Sequence, residues 1–457
     1  MAQLAALRYL RLTPFDVSHE QGRSDERYRL ALISVLANVL SKGMGMVVMI
    51  LSIRLTVPYL GAERFGVWMT VASLAGLLTF LDLGIGNALT NHVAKRAAAD
   101  NTKLLSQTIS GGLAFLAIIG VLMSLMLWAI AACVPWSFLI KTTQVDLLTE
   151  ARTAAMYFGV LFGLNVFTGG IQKVFSGLQQ SYVSHIVTTV GSMVAGIGLW
   201  FSAASHAGIP MLLAVMLGSQ SVVSLFLLAV LAHRKLFCMA DIASAIRLEA
   251  PHLFQAGGLF FLLQIGTMVG WGADSLIISS TLGAAQVAMF AVTQRLFQFI
   301  SQPLSIINAP LWGAYADANS RKEKEFIKKT LKRSISFNVA VGLSFCIFLA
   351  WWNEEIIRIW TDGAVIVPAS LVVIYAAWSV IDMVSNSFAM FMNGCNIIRP
   401  QVVGIISLVF FAVPVKLYFA VSYGLTAMLS GFVVVYLANI FLWYGIVYKK
   451  QIFEKFN

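Results

Sequence analysis

Long apolar runs, separated by short polar segments, recur along all 457 residues of the chain. Each run has about 20 residues, which is the length that an α-helix needs to cross a bilayer core of roughly 30 Å. A β-barrel would instead show strands of about 10 residues with alternating polarity. The pattern predicts an all-α polytopic membrane protein with twelve transmembrane helices, at residues 30–53, 65–89, 109–133, 153–171, 183–203, 211–232, 255–281, 286–312, 334–351, 364–391, 402–421 and 425–447.

The polar segments carry their Lys and Arg residues unequally on the two sides of the membrane. With the N-terminus placed inside, the large majority of the 31 Lys and Arg residues fall in inside segments. Basic loops stay in the cytoplasm, so both termini are predicted to be cytoplasmic. The net charge of +11 then faces the anionic membrane lipids of that leaflet. No nucleic-acid partner is needed to explain it.

Three short stretches of the first half have counterparts in the second half, in the same order. They pair YLGAERFG (59–66) with TLGAAQVA (281–288), FSGLQQSYV (175–183) with MNGCNIIRP (392–400), and HAGIPMLL (206–213) with SYGLTAML (422–429). Each match is weak by itself, but their common order indicates a duplication of six spans. Two halves with the same orientation are expected to be related by a pseudo-two-fold axis along the membrane normal.

The duplication predicts two six-helix lobes around a central cleft, where a substrate would bind near the middle of the membrane. A cytoplasmic linker would connect the lobes, and cytoplasmic ends would flank them. The predicted segments are residues 1–29 (N-terminal segment), 30–232 (N-lobe), 233–252 (linker), 253–447 (C-lobe) and 448–457 (tail).

Three cationic residues fall near the middle of predicted spans: Lys42 in span 1, Arg295 in span 8 and Lys416 in span 11. Charged residues at this depth are costly, and they usually face a cavity or one another. An arginine can hold a phosphate through two hydrogen bonds, whereas a lysine acts as a point charge. We therefore expect the three residues to form an anion-binding cavity. Ion pairing between helices is the structural alternative.

Three acidic residues also lie within the spans. Asp82 and Asp382 fall toward the cytoplasmic third of the membrane, and Asp274 falls nearer the outside. These carboxylates are expected to take part in ion coupling or gating, or to hold the cations in place. For Asp82, in the stretch TFLDLGIGNALTN (79–91), a role as a helix-end residue is the alternative.

No catalytic or metal-binding constellation is recognisable. The six His and four Cys residues are scattered, and the outer loops, of about twenty residues or fewer, are too short for a catalytic domain. The stretch DLGIG follows a membrane helix and lacks the spacing of a nucleotide loop. We predict a protein that is not an enzyme and that binds no metal and no organic cofactor, with H+ or Na+ as the coupling ion.

Two local features of the second half give further expectations. Pro303 and Pro310 are expected to bend or interrupt span 8, because proline removes a backbone donor inside a helix. The run RKEKEFIKKTLKR (321–333) is expected to form a solvated amphipathic helix on the inner surface.

The stretch VPYLGAERFGVWMTVASLAGLLTFLDLGIGNAL (57–89) resembles the second-helix signature of Wzx-type flippases. These proteins belong to the multidrug/oligosaccharidyl-lipid/polysaccharide exporter superfamily. The matching residues are Tyr59, Leu60, Gly61, Phe65, Gly66, Trp68, Asp82, Leu83 and Gly84, together with the Gly177-Leu178-Gln179 turn after span 4. The predicted twelve-span plan agrees with this family over nearly the whole chain.

The resemblance implies a flippase of the bacterial inner membrane that works by alternating access. Its substrate would be a polyprenyl-pyrophosphate-linked oligosaccharide, such as an O-antigen repeat unit for lipopolysaccharide, moved to the periplasmic leaflet. The family is associated with a cationic cavity and with coupling to a proton or sodium gradient. Lys42, Arg295 and Lys416 fit such a cavity, and other glycan-assembly membrane proteins would be partners.

Other classes of membrane protein fit the sequence less well. A multidrug or cation antiporter of the same fold is the nearest alternative, but its cavity would favour central acids rather than central cations. A lipid II flippase would often carry two further helices. A sugar polymerase or ligase would need a large outer loop. A structural scaffold would have no use for three cations near the membrane centre.

Overall fold

The computed structural model describes residues 11, 13, 15–16, 20–78, 85–98, 101–142, 144–237, 272–320, 322–395, 397 and 399–449. All regular secondary structure in this part of the chain is helical. The α-helices are α1 (Glu20–Leu78), α2 (Ile85–Ala98), α3 (Thr102–Cys133), α4 (Trp136–Leu139), α5 (Val145–Gly177), α6 (Ser181–Ala204), α7 (Ile209–His233), α8 (Asp274–Thr281), α9 (Ala284–Ser320), α10 (Lys324–Thr361), α11 (Ala369–Gly394), α12 (Arg399–Tyr423) and α13 (Leu425–Ile440), and a π-helix (Phe441–Val447) follows α13.

Nine helical segments of the described residues are long and apolar enough to cross a membrane. The chain is therefore a multi-pass helical membrane protein, as the apolar runs predict. Helix α9 occupies the position of predicted span 8, although it is not among the nine. Most of predicted span 7 lies outside the described residues, which include only its end, helix α8. The total of twelve spans stays a prediction.

Matched glycines of the two halves occupy equivalent places in the structure. Gly61 interrupts α1 with a φ of 71°, and Gly283 separates α8 from α9 with a φ of 98°. A positive φ of this size favours glycine, so a glycine interrupts the helical geometry at both positions. The other matched pairs also fall at helix ends: Gly177 and Gly394 end α5 and α11, and Gly208 and Gly424 precede α7 and α13.

The chain forms two compact units that do not follow chain order. The first unit comprises Met1–Leu55, Leu78–Val134 and Thr149–Leu262, and the second comprises Thr56–Leu77, Pro135–Leu148 and Leu263–Asn457. Two segments of the first half of the sequence thus belong to the second unit. The lobe boundaries predicted from the repeat stay predictions, and residues 238–252 of the predicted linker lie outside the described residues.

Close backbone contacts explain why the two early segments belong to the second unit. A Cβ atom at Gly66 would lie 1.7 Å from the carbonyl oxygen of Ala284, so only glycine permits this approach of α1 to α9. Thr142 donates a hydrogen bond of 2.5 Å to the carboxylate of Glu63. The backbone amide of Lys141 donates to a carbonyl at the end of α8, at 3.1 Å. These contacts connect the outer turns of α1 and the 135–148 segment to α8 and α9.

Small and polar residues bring the helices of the first unit together. Gly120 of α3 and Gly163 of α5 lie against each other, because a Cβ on either would meet the backbone of the other. Gln172 of α5 donates a hydrogen bond of 2.8 Å to Ser224 of α7. Helices in lipid associate through such close packing and interhelical hydrogen bonds, since apolar burial offers little driving force there.

Two expectations for the second half need correction. Helix α9 runs without a break from Ala284 to Ser320, so Pro303 and Pro310 do not interrupt it, and the expected bend stays a prediction. Neighbouring helices can tolerate proline in a membrane helix by satisfying the freed carbonyls. The basic run is not a separate surface helix, because α10 begins at Lys324 and continues through the run to Thr361. Its predicted amphipathic character is present: Ile327 and Leu331 are buried, while the lysines around them are exposed.

Candidate functional site

Of the three predicted cations, Lys42 lies in the first unit, and Arg295 and Lys416 lie in the second. Lys42 is on α1, in the segment before the Gly61 break, and its side chain is exposed. His185 on α6 of the same unit is within electrostatic range of Lys42. The predicted anion cavity of three cations stays a prediction.

Lys416 forms an ion pair with Asp274, one of the predicted acids. The Lys416 Nζ donates to the Asp274 Oδ1 at 2.5 Å. Lys416 is only 1% exposed, and its Nζ lies 3.9 Å from the centre of the Phe432 ring. Asp274 is the first residue of α8, where the positive end of the helix dipole also stabilises a carboxylate. Two predicted site residues are thus joined in an ion pair between helices, which was the structural alternative to an anion-binding role for Lys416.

Arg295 lies in a different environment on α9. One of its terminal nitrogens, Nη2, donates to the Sδ of Met69 at 3.3 Å, and Met69 belongs to the α1 segment of the second unit. A thioether is a weak and uncharged acceptor. This contact positions the guanidinium and does not neutralise its charge.

A cavity of about 160 Å³ in the second unit brings together the two acids Asp274 and Asp382. Asp382 is on α11 and forms no ion pair with any described residue. Tyr375 and Trp378 from the same helix and Phe432 from α13 contribute aromatic walls. The cavity therefore contains one carboxylate whose charge is compensated by Lys416 and one that lacks such a partner among the described residues.

A second cavity, of about 150 Å³, follows along the same two helices. It shares Ser301 and Asp382 with the first cavity. Its remaining walls are mostly polar and comprise Gln302, Leu304, Ser305, Asn308, Met383 and Asn386. The carboxylate of Asp382 thus lies at the junction of two polar cavities.

Sequence reasoning missed the neutral polar residues of these cavities. A cluster of buried polar side chains lies next to them, where Ser334 donates to Asn308 at 3.2 Å and to Ser387 at 3.0 Å. Asn338 donates to Ser387 and to the Met383 carbonyl. These residues could have been predicted from the regular spacing of Gln, Ser and Asn along one face of a helix. Attention to charged residues alone does not reveal them.

The remaining predictions on site chemistry have no test in the structure. Asp82 lies in residues 79–84, outside the described residues. Within the described part of the chain, no group of three or more His, Cys, Asp or Glu side chains could hold a metal ion. The structure therefore offers neutral polar side chains, the carboxylates of Asp274 and Asp382, the buried Lys416 and the partly buried Arg295 as the chemistry of the candidate site.

Comparisons with known proteins agree with this architecture. A family model described as "Polysaccharide biosynthesis protein" matches residues 29–312, and a MatE model matches residues 261–418. The chain is 21% identical over 407 residues to a putative O-antigen export protein of Yersinia pseudotuberculosis, covering 88% of this chain and 92% of the relative.

Solved transporters have the same fold. An inward-facing multidrug resistance MATE family transporter superposes with a TM-score of 0.74 at 15% identity, covering 92% of this chain and 98% of the other. The lipid II flippase MurJ in an inward closed conformation gives a TM-score of 0.72 at 9% identity, covering 93% and 90%. At these identities the likeness shows the fold alone.

Proposed function

We propose that this chain, which belongs to the polysaccharide biosynthesis protein family, is a flippase for a polyprenyl-pyrophosphate-linked oligosaccharide. The substrate would be an O-antigen repeat unit or a related glycan, moved from the cytoplasmic to the periplasmic leaflet. The observation that carries the proposal is the similarity to an O-antigen export protein over most of both chains. The cations Arg295 and Lys416 of the second unit support it, since a pyrophosphate is an anion.

Arg295 is the cation best suited to bind the pyrophosphate. Its guanidinium can form two parallel hydrogen bonds to phosphate oxygens. Lys42, exposed in the first unit, would add a point charge. Lys416 would contact the substrate only after exchanging Asp274 for a phosphate. Its primary role in the proposal is therefore to compensate Asp274.

Asp382 is the strongest candidate for ion coupling. It lies in two polar cavities and has no cationic partner among the described residues. A proton or a sodium ion would compensate its charge. Asp274 would assist from the same cavity, and Asp82 stays a gating candidate on sequence grounds. The transport itself involves no covalent chemistry, so the protein acts as a transporter rather than an enzyme.

The proposed function places the protein in the bacterial inner membrane with both termini in the cytoplasm. The unequal distribution of Lys and Arg residues supports this orientation. Its substrate would arrive on the cytoplasmic leaflet and leave on the periplasmic one. Membrane enzymes that assemble or polymerise the glycan would therefore be its partners.

A multidrug or cation antiporter is the second candidate. The MatE match over residues 261–418 and the acidic cavity around Asp382 favour it. The ion pair between Lys416 and Asp274 weakens it, because the pair removes one of the two negative charges that would attract a cationic drug. Resistance to cationic compounds in cells that express the chain would support the antiporter.

Complementation of a bacterial strain that lacks its own O-antigen flippase tests the proposal. The chain should restore surface glycan, and Arg295→Ala should reduce the restored amount severely at equal membrane expression. Arg358→Ala is the matched control, because Arg358 lies in the same unit and is exposed near the end of α10. Full rescue by Arg295→Ala would contradict the anion site. Failure to restore any lipid-linked glycan, with drug resistance instead, would favour the antiporter.

A further inference from the structure

Helices α9 and α11 each carry a row of polar residues on a single face. Along α9 these residues are Gln294, Gln298, Ser301, Ser305 and Asn308, and along α11 they are Tyr375, Ser379, Asp382 and Asn386. Steps of four and three residues keep each row on one side of its helix. Both rows line the two cavities. We call these nine residues the polar seam; at 1.5 Å per residue it extends about 21 Å along α9.

The seam continues into the buried polar cluster. Asn308 lines the second cavity and also contacts the cluster, since its amide nitrogen lies 3.4 Å from the Asn386 oxygen and its own oxygen accepts from Ser334. Asn338 of α10 is completely buried. Its side-chain oxygen has no hydrogen-bond partner among the described residues. A buried polar atom without a partner costs about 1–3 kcal/mol, so an occupant that donates a hydrogen bond is expected there.

Water is the occupant that fits the two cavities. A buried water typically forms about three hydrogen bonds to polar groups that would otherwise lack partners. The two cavities have volumes of about 160 and 150 Å³, enough for several water molecules each. Because both are lined by Ser301 and Asp382, a connected chain of waters can pass the carboxylate and reach Asn308.

An apolar layer closes one end of this chain of waters. Tyr315 of α9, Ile327 and Leu331 of α10 and Phe391 of α11 form a buried hydrophobic core. On each helix these residues lie one or two turns beyond the cluster, on the side where α9 ends and α10 begins. The predicted orientation places this end at the cytoplasm. The polar route thus extends along the seam to this apolar layer, which must part for a proton to enter from the inner end.

We propose that the polar seam and the Asn338 cluster form a hydrated proton route between Asp382 and the inner end of the second unit. A proton from a hydronium ion would pass along the hydrogen-bonded waters to a carboxylate oxygen of Asp382, and the reverse transfer would return it to water. The route lies inside one unit, and it does not use the space where the lipid-linked substrate is proposed to bind. This inference rests on the proposed ion coupling of the flippase.

Few other charges act on Asp382. Asp274 of α8 lines the same cavity and is paired with Lys416 of α12. Tyr375 from its own helix and Tyr436 from α13 are within electrostatic range. The described residues that α9 contributes to the two cavities are uncharged, and Arg295 is not among them. Proton uptake at this position is therefore expected to be dominated by Asp382.

Infrared spectroscopy of the purified full-length protein, without any substrate, tests the route directly. After a rapid drop in pH, the carbonyl absorption of a newly protonated Asp382 should appear, and Asp382→Asn should remove this band. Asn338→Leu should slow the appearance of the band at least tenfold. Asn338→Ser should restore a rate near wild type, because the smaller polar side chain leaves room for water.

Two further variants make the test specific. Asn439→Leu is the matched control, since Asn439 bonds Ser407 at 3.0 Å between α13 and α12 and lines neither cavity; its rate should equal wild type. Ser301→Leu should slow the band like Asn338→Leu, because Ser301 lies where the cavities meet. An unchanged rate in both blocking variants, or a band that survives Asp382→Asn, overturns the proposal. Since no glycan is present, this result is independent of the complementation assay.

Discussion

Replacing Lys416 with methionine is expected to leave the Asp274 carboxylate buried without its compensating charge. Methionine has a similar length and can pack against Phe432, but it loses both the ion pair and the cation–π contact of the Lys416 Nζ with the Phe432 ring at 3.9 Å, so the main loss is electrostatic. At the observed separation of 2.5 Å, an effective dielectric constant of about 20 gives an attraction of about 7 kcal/mol. The cost of removing both ions from water opposes this attraction.

The net effect of each single substitution follows from that balance. Breaking a buried ion pair by removing one partner typically costs about 3–5 kcal/mol. Lys416→Met and Asp274→Asn are each expected to fall in this range. The double variant contains no buried charge at this position, and it should lose no more than about 1 kcal/mol. The coupling free energy between the two sites, which is the sum of the two single losses minus the loss in the double variant, should therefore be about 5 kcal/mol or more.

Reversible unfolding in mixed micelles, followed by tryptophan fluorescence, measures these free energies. The same variants should be compared in the complementation assay. If Lys416 acts only as the partner of Asp274, the double variant should regain both stability and glycan export. If Lys416 also binds the substrate, the double variant should regain stability without export. Single substitutions that each cost under about 1 kcal/mol, with additive effects in the double variant, would refute the reasoning.

Two further outcomes follow from the structure. Gly66→Ala should destabilise the second unit by about 1–3 kcal/mol in the same unfolding assay, because the new Cβ would lie 1.7 Å from the carbonyl oxygen of Ala284. Gly45→Ala, with nothing within 4 Å of its new Cβ, should be neutral or slightly stabilising. The ion pair of Glu26 with Arg29 at 2.6 Å lowers the pKa of Glu26 from its ordinary 4.5. The Glu26 carboxylate also accepts a hydrogen bond from the Phe15 amide at 2.9 Å. This amide should therefore be protected from hydrogen exchange above pH 4.5 and lose its protection as the pH falls further; protection that is independent of pH would contradict this.

The helices and their breaks were accessible from the sequence because local physics determines them. Apolar runs of bilayer length have few alternatives to helix, since every backbone polar group in lipid must be satisfied within its own segment. Gly61 and Gly283, which the internal repeat pairs, both adopt a positive φ. The continuity of α9 through Pro303 was not predictable from local rules, because neighbouring helices decide whether a proline interrupts a membrane helix.

The composition of the candidate site was harder to predict for a different reason. Asp274 and Lys416 are recognisable in the sequence as charged residues within apolar spans. Their ion pair is not, because 142 residues separate them in the chain. The early segments Thr56–Leu77 and Pro135–Leu148 belong to the second unit through contacts such as Gly66 with Ala284, which have no counterpart in chain order. Neutral polar residues such as Asn338 cannot be recognised as part of a site from the sequence, because their importance depends on burial that only the structure shows.

The charges of Arg295 and Asp382 limit how a proton and an anionic substrate can be coupled. Arg295 and Asp382 lie in the same unit with opposite charges, and protonation of Asp382 makes this unit more positive by one charge. Direct electrostatics would then favour a pyrophosphate when Asp382 is protonated, and by linkage a bound pyrophosphate would favour the proton. Transport of the proton and the pyrophosphate in opposite directions instead requires that the binding of one weakens the binding of the other. If antiport is measured in liposomes, the competition must therefore come from two conformations with different proton access to Asp382, and not from repulsion between the bound charges.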